Sequence, residues 1–318
     1  MLGVDTLFRF PEINGPFRGS HALAENWLTT RQLRSTLLVR LFTDVYLPRA
    51  MEPTHRLRCL GASLIAPEQA VLTGLSAAAV HGLDLAAAND PVEFAVPTSI
   101  RFGAQRGIDV RRVPVHPGEY EPWGRVGLAT PLRLTLDVLT NTRLRRSLPR
   151  TVGLLDALLR AEFVDKKSLE LTLAQRHDHG IVRARSAMEL ADPRSESIPE
   201  SEVRVWLTLG GVKPDVQVTV YDEFGCHLGR LDLAYVLDKL AVEYDGLWHE
   251  QGRQPQLDEE RRARLRAAGW DFIVITKELL YGDPRGMVDT VREALRRRGS
   301  TTGVVEPQCR GNGGLGSR

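Results

Sequence analysis

The stretch "GRLDLAYVLDKLAVEYDGLWH", residues 229–249, reads as two strands joined by a short turn at "VLDK". Successive side chains of a strand alternate between its two faces, so each strand is expected to have an apolar face and a face with acids. In the first strand this alternation places Leu231 and Leu233 on the same face. A hairpin of the two strands then brings three acids together on the other face: Asp232, Glu243 and Asp245.

Carboxylates held this close repel one another, which raises at least one pKa unless a cation neutralises them. Oxygen ligands suit hard divalent cations, and Mg²⁺ is usually held by one or two carboxylates with waters and substrate phosphates. The acids therefore predict a site for Mg²⁺ or Mn²⁺ that supports attack of water on a phosphodiester. His249, four residues after Asp245, is a candidate general acid or base. The alternative, a solvated acidic face of an antiparallel sheet, stays open.

Charged side chains also flank the hairpin. Glu200, with Glu202 close by, opens the helix that begins the same domain. After the hairpin, the helix "LDEERRARLRAAG" has acids in its first turn and arginines in its last turns, and it allows an i,i+4 pair between Asp258 and Arg262. Two interpretations of these arginines stay open. They stabilise the helix itself, or Arg261 and Arg262 bind the phosphates of a substrate.

The chain divides at "ADPRSESIPE", where prolines and serines break helical periodicity. A domain is expected from there, over residues 193–298. Its order of helix, three strands, helix, strand and helix predicts a mixed sheet flanked by helices, an α/β (α+β) class. The tail at 299–318 is rich in Gly, Thr and Ser and is expected to be disordered.

Residues 1–54 are expected to form a separate domain. "HALAENWLTTRQLRSTLLVRLFTDVYLPRA" reads as helix, turn, helix and strand pair, with Thr29 or Thr30 as N-cap and Leu33 and Leu37 at helical spacing. The order is typical of a winged helix-turn-helix, and a small helical subdomain is the open alternative. In the first interpretation two arginines of the second helix are candidates to bind DNA: Arg31 and Arg34.

Residues 55–192 mix predicted helices and strands into an α+β middle domain. His81 and His116 are isolated there and are expected to be structural. The whole chain has 318 residues, 26% charged residues and a net charge of +2, so any nucleic-acid surface must be local. Three scattered cysteines argue against a zinc site or a disulfide framework. Without an export signal or an apolar run of membrane length, we expect a cytoplasmic protein with no membrane partner.

Four motifs together resemble the DUF559 domain, which is related to the very-short-patch-repair endonucleases of the PD-(D/E)xK nuclease superfamily. They are "SIPESEVRVWL", "GRLDLAY", "AVEYDGLWH" and "DEERRARLRAAGWDFIVIT", and the resemblance covers about residues 197–298. It implies a restriction-endonuclease-like fold. It also implies Glu200, Asp232 and Glu243 as metal-binding acids, with Glu243 as the acid of the (D/E)xK element.

The lysine of that element is replaced by Asp245, which resembles the E-x-D-G variant of DUF559 proteins. Water activation and charge neutralisation must then come from another group. The candidates are His249, Lys239 and an arginine of the following helix.

The upstream part is similar to the AbiEi-type antitoxin proteins of actinobacteria. "ENWLTTRQLRSTLLVRLFTDVYLPRA" resembles their winged helix, and "VLTGLSAAAVHGL" and "GLATPLRLTLDVL" resemble the segment that follows. We therefore expect a Mg²⁺-dependent DNA endonuclease-like protein with a DNA-binding N-terminal region. The alternative is a DNA-binding regulator or type IV antitoxin-like protein with an inactive nuclease fold, for which a toxin is a possible partner.

Overall fold

The computed structural model describes residues 13–141, 147–177, 179–245 and 255–299, and the chain forms two compact units. Unit 1 comprises residues 1–141 and 166–180; unit 2 comprises residues 142–165 and 181–318. Both units combine helices with a sheet, so the expected mixed α and β class is confirmed. Among the described residues, no helix has the length and apolar character needed to cross a membrane.

The elements, in chain order, are β1 (Phe17–Arg18), α1 (Gly19–Ala24), α2 (Thr30–Leu33), β2 (Leu38–Phe42), β3 (Val45–Pro48), α3 (His55–Ser63), β4 (Val71–Leu72), α4 (Gly74–Val80), β5 (Val92–Val96), β6 (Ile108–Arg112), β7 (Tyr120–Trp123), β8 (Val126–Ala129), α5 (Pro131–Thr140), α6 (Leu148–Arg160), α7 (Lys166–Gln175), α8 (Ile181–Leu190), α9 (Ile198–Leu209), β9 (Asp215–Tyr221), β10 (His227–Tyr235), β11 (Leu240–Asp245), α10 (Pro255–Ala267), β12 (Asp271–Thr276), α11 (Lys277–Gly282) and α12 (Pro284–Arg297).

Unit 1 has a three-stranded sheet in the order β1-β3-β2 and a five-stranded sheet in the order β6-β5-β4-β8-β7. The predicted N-cap is confirmed at Thr29, whose side chain accepts from the Gln32 amide while Gln32 accepts from the Thr29 amide, a capping box. Leu37 does not continue α2 as its spacing predicted. Its carbonyl instead accepts from the Arg49 amide at 2.8 Å, because the chain has already entered the β2–β3 hairpin.

Unit 2 contains one four-stranded sheet in the order β12-β11-β10-β9. Strands β9, β10 and β11 follow one another as antiparallel neighbours, and a turn at residues 236–239 joins the last two. After α10, β12 pairs with β11 in parallel. The predicted hairpin and mixed sheet are therefore confirmed, as is the order of elements as far as β12. Helices α11 and α12 both follow β12, where one helix was predicted.

The alternation predicted for β10 is wrong at one position. The described residues of unit 2 include two clusters of buried apolar residues. Leu233 packs with Val242 in the first cluster, which includes residues of α9 and α12, whereas Leu231 packs with Leu265 of α10 in the second. The neighbouring strand makes the same change, since Val216 belongs to the first cluster and Val218 packs against the second. In both strands, therefore, the apolar side chains before and after one position pack in different clusters. That position is Asp232 in β10 and Gln217 in β9.

Helices α6 and α8 group with the residues after 190 in unit 2, and the boundary predicted at residue 193 stays a prediction. A buried ion pair joins α6 to α9: Arg204 Nη2 donates to Asp156 Oδ2 at 2.8 Å, and both side chains are almost fully buried. The Asp192 amide donates to the other Asp156 oxygen at 2.7 Å. Burial raises the pKa of Asp156 even beside this arginine, so the carboxylate depends on its partner.

Replacing Arg204 with methionine should therefore destabilise unit 2 by about 3–5 kcal/mol, because it leaves a buried carboxylate without its counter-charge. Urea denaturation, followed by hydrogen exchange of the α9 amides, measures this. The matched control is Arg297→Met, which removes an exposed partner of Glu293 and should change stability by less than about 1 kcal/mol. Equal effects of the two variants would contradict the role given to Arg204.

Candidate functional site

The hairpin of unit 2 brings the predicted acids together. The register that pairs Leu233 with Val242 places Asp232 opposite Glu243 on neighbouring strands. On its other side, Asp232 lies opposite Gln217 of β9, between the pairs Leu231–Val218 and Leu233–Val216 of the β9–β10 ladder. Directly opposed side chains have Cβ atoms about 5 Å apart. We call the group formed by Glu200, Asp232 and Glu243 the acidic triad.

Glu243 is only 5% exposed, and both of its carboxylate oxygens accept hydrogen bonds from α10. Arg261 Nη2 donates to Oε1 at 2.9 Å, and Arg262 Nε donates to Oε2 at 3.0 Å. Arg262 Nη2 also lies 2.8 Å from Oε2. We call Arg261 and Arg262 the arginine pair. The pair between Asp258 and Arg262 predicted from the sequence is wrong: Arg262 turns to Glu243, and Asp258 lies 3.7 Å from Arg261.

Asp232 has no such compensation. Burial, followed by the charges of Glu200 and Glu243, raises its pKa from 3.8 to about 6, although Arg261 opposes the shift. Within the described parts of the chain, the hydrogen bond that its carboxylate accepts is a long one from Gln217 Nε2, at 3.5 Å. Among the described members of the triad, Asp232 is the carboxylate most in need of a cation.

Glu200 reaches the same place from the first turn of α9. Ser197 caps this helix by accepting from the Glu200 amide, and the Ser197 hydroxyl donates to Glu200 Oε1 at 2.8 Å. The Glu196 amide donates to Oε2 at 2.9 Å, and Gln217 Nε2 donates to that oxygen at 3.4 Å. These bonds fix the carboxylate, which also contributes to the cap of α9.

Gln217 is a site residue that the sequence reasoning missed. It adopts φ 54° in the middle of β9, a left-handed conformation that is uncommon for a residue other than glycine. Its Nε2 contacts both Glu200 and Asp232, and its Oε1 is buried without a hydrogen-bond partner in the described structure. The signal in the sequence was a lone amide within "DVQVTV", but its meaning depends on the register with Asp232.

The other predicted residues divide into three cases. Asp245 ends β11, where it pairs with Thr276, and its Oδ1 is buried with no hydrogen-bond partner in the described part of the chain. His249 lies outside the described residues. Lys239 donates to the carbonyl of Ala268 at 2.8 Å and lies on the turn before β11. Arginines of α10 were among the candidates to substitute for the missing lysine, and the structure places the arginine pair on Glu243.

The donor chemistry of this site fits a hard divalent cation. Carboxylate oxygens and the unpartnered amide oxygen of Gln217 are the ligand types that Mg²⁺ and Mn²⁺ accept. The arginine pair occupies Glu243, and among the described residues no three His, Cys, Asp or Glu side chains are arranged to hold a metal as they stand. An ion at Glu243 would therefore compete with the arginine pair for this carboxylate.

The candidate DNA-binding arginines lie in unit 1. Arg31 is on α2, and Arg34 is its C-cap. Both are exposed. They lie three positions apart, a spacing that puts side chains on one side of a helix turn.

Two curated proteins of Mycobacterium tuberculosis are similar to this chain: "Uncharacterized protein MT2308" of strain CDC 1551 / Oshkosh and "Uncharacterized protein Rv2248" of strain ATCC 25618 / H37Rv. Each is 29% identical over 275 residues, covering 84% of this chain and 95% of the relative. No family model and no solved structure matches the chain. The similarity therefore extends over both units, and the resemblances to DUF559 and AbiEi proteins stay predictions.

The raised pKa of Asp232 predicts how stability depends on pH. The folded protein binds a proton at Asp232 more tightly than the unfolded chain, so this contribution is present below pH 4 and is lost as the pH rises through about 6. Without divalent cations, Asp232→Asn should be more stable than the wild type by about 1–3 kcal/mol at pH 7.5. At pH 4 the two proteins should be equal.

Thermal and urea denaturation in the presence of a chelator measure this difference. Asp289→Asn, which removes an exposed carboxylate of α12, is the control and should show no such pH dependence. A loss of stability in Asp232→Asn that is equal at both pH values would show that Asp232 is not under electrostatic stress.

Proposed function

We propose that unit 2 hydrolyses phosphodiester bonds of DNA with the help of Mg²⁺ or Mn²⁺ bound at the acidic triad. One observation carries the proposal: Asp232 lies between Glu200, Glu243 and the amide of Gln217 with its pKa raised to about 6. A buried carboxylate such as Asp232, placed between two other acids without its own counter-ion, is costly for a structural sheet, and a divalent cation removes the cost. The resemblance to DUF559 proteins supports the same function.

The residues of the chain divide the work. Asp232, ionised above about pH 6, would hold the cation together with Glu200, and Glu243 would complete the set after it exchanges partners. The arginine pair takes the place of the missing lysine and neutralises charge on the phosphate. We further propose that His249 assists proton transfer and that Asp245 completes or tunes the metal site. When bound, the cation supplies a water molecule of lowered pKa.

This function predicts cleavage of DNA that depends on added Mg²⁺ or Mn²⁺. Single-stranded, nicked, mismatched and duplex DNA should be compared, and Asp232→Asn should lower the cleavage rate of the preferred substrate at least about 100-fold, since a metal ligand is lost. Asp289→Asn is the matched control and should cleave at the wild-type rate. Absence of cleavage on every substrate, or equal rates in the two variants, would refute the proposal.

The second candidate is a DNA-binding regulator whose nuclease fold is inactive. The occupation of both Glu243 oxygens by arginines favours it, as does the replacement of the lysine by Asp245. In this interpretation the N-terminal elements are a winged helix-turn-helix that binds DNA through Arg31 and Arg34. A toxin protein is then the proposed partner, and the cytoplasm is the proposed location for either function.

A gel-shift assay separates the two candidates. If the chain is a regulator, replacing Arg31 and Arg34 with glutamine should weaken DNA binding at least about tenfold, because each arginine that neutralises a phosphate contributes through counterion release. Asp232→Asn should bind like the wild type, and neither protein should cleave. Binding that is unchanged in the double variant would show that this surface does not contact DNA.

A further inference from the structure

The two arginines on Glu243 are held differently. Besides Glu243, Arg261 donates through Nη1 to the carbonyl of Arg230 at 2.9 Å, and its Nε lies 3.7 Å from Asp258. Arg262 places both Nε and Nη2 on one oxygen of Glu243, and that carboxylate is its partner in the described structure. Arg261 is therefore fixed by several groups, and Arg262 by one.

The charge of the site would change sign on cation binding. Three carboxylates of the acidic triad and two guanidiniums of the arginine pair leave the group with one negative charge when Asp232 is ionised. With a dication the same group would carry one positive charge. An anion such as a phosphodiester is repelled by the first state and attracted by the second.

The two guanidiniums beside Glu243 repel a dication at the same carboxylate, and Oε2 already faces two nitrogens of Arg262. A cation that binds through Oε2 therefore displaces Arg262. Arg262 is the arginine that can move with the smaller loss, because Arg261 would also give up the carbonyl of Arg230 and its proximity to Asp258. The Arg262 side chain is 21% exposed, against 24% for Arg261, so both arginines reach solvent and the difference between them lies in their partners. A guanidinium without its carboxylate is well suited to a phosphate, which it binds with two parallel hydrogen bonds.

We propose that Arg262 is an exchangeable counter-ion that couples cation binding to nucleic-acid binding: it neutralises Glu243 in the cation-free protein and moves to a substrate phosphodiester when Glu243 binds the cation. This inference rests on the proposed cation site. Because coupling between two ligands is reciprocal, DNA strengthens cation binding by the same factor by which the cation strengthens DNA binding. The arrangement keeps Glu243 neutralised by the chain itself until both ligands are present.

The test is calorimetric titration of the full chain with Mn²⁺, alone and with a single-stranded phosphorothioate oligonucleotide that resists cleavage. Heat of Mn²⁺ binding to the oligonucleotide alone is subtracted. In the wild type the oligonucleotide should tighten Mn²⁺ binding at least about fivefold, the lower end of typical couplings. A methylphosphonate oligonucleotide of the same sequence, which lacks the backbone charge, should leave the affinity for Mn²⁺ unchanged.

Arg262→Gln should bind Mn²⁺ more tightly than the wild type without oligonucleotide, since the competitor for Glu243 is gone, and its coupling factor should fall to about twofold or less. The matched control is Arg264→Gln on the exposed side of the same helix, which should keep the wild-type coupling factor. If Arg262→Gln does not fold, Arg262→Lys, which keeps the charge but not the planar fork, should still lower the coupling.

The outcomes separate the inference from the proposed function. A wild type that binds Mn²⁺ but shows no coupling, or an Arg262→Gln variant with full coupling, overturns the role of Arg262 and leaves the cation site standing. A wild type that binds no Mn²⁺ at the acidic triad overturns both. Loss of coupling in Arg264→Gln to the same extent as in Arg262→Gln would show a general charge effect of α10 and would also overturn the inference.

Discussion

The carboxylate of Glu243 lies on an inner strand of unit 2 and is almost completely removed from water, so its charge must be balanced within the chain. The arginine pair of α10 supplies the balance. Because α10 connects β11 to its parallel neighbour β12, the same ion pairs attach the crossover helix to the sheet. Packing of the unit and electrostatics of the acidic triad therefore depend on one interaction, and a change of partner at Glu243 affects both.

The three carboxylates of the triad differ in how far the chain balances their negative charge, and the difference indicates where a cation would bind. Glu243 has two guanidiniums, Glu200 accepts hydrogen bonds from the start of α9, and Asp232 has a long contact with Gln217. A sheet selected for stability alone would not keep a carboxylate in the position of Asp232. The left-handed backbone of Gln217 beside it is a second local cost at the same place. Strain and unbalanced charge together are typical of functional sites.

Much of this arrangement follows from the sequence because alternation and turn position fix the register of a hairpin. They were enough to predict that Asp232 and Glu243 lie on the same face of a hairpin, and the structure adds that the two residues are directly opposite each other. The alternation pattern was wrong at Leu231, because the strands are irregular at Gln217 and Asp232. No glycine or proline at these two positions indicates the irregularity in the sequence. Arg261 and Arg262 were candidates from the sequence, but their shared contact with Glu243 was not predicted. Adjacent helical residues point in different directions, and it is the placement of α10 that brings both to this carboxylate.

The central claim is that Asp232 marks a cation site whose occupation alters the partners of Glu243. Anomalous diffraction from crystals of the full chain soaked in Mn²⁺ tests it most directly, because it locates the ion and the surrounding side chains together. The account predicts a Mn²⁺ peak within coordination distance of Asp232, about 2.1–2.3 Å, with Arg262 withdrawn from Glu243. A peak elsewhere, no peak at saturating Mn²⁺, or a bound ion with both arginines still on Glu243 would contradict it.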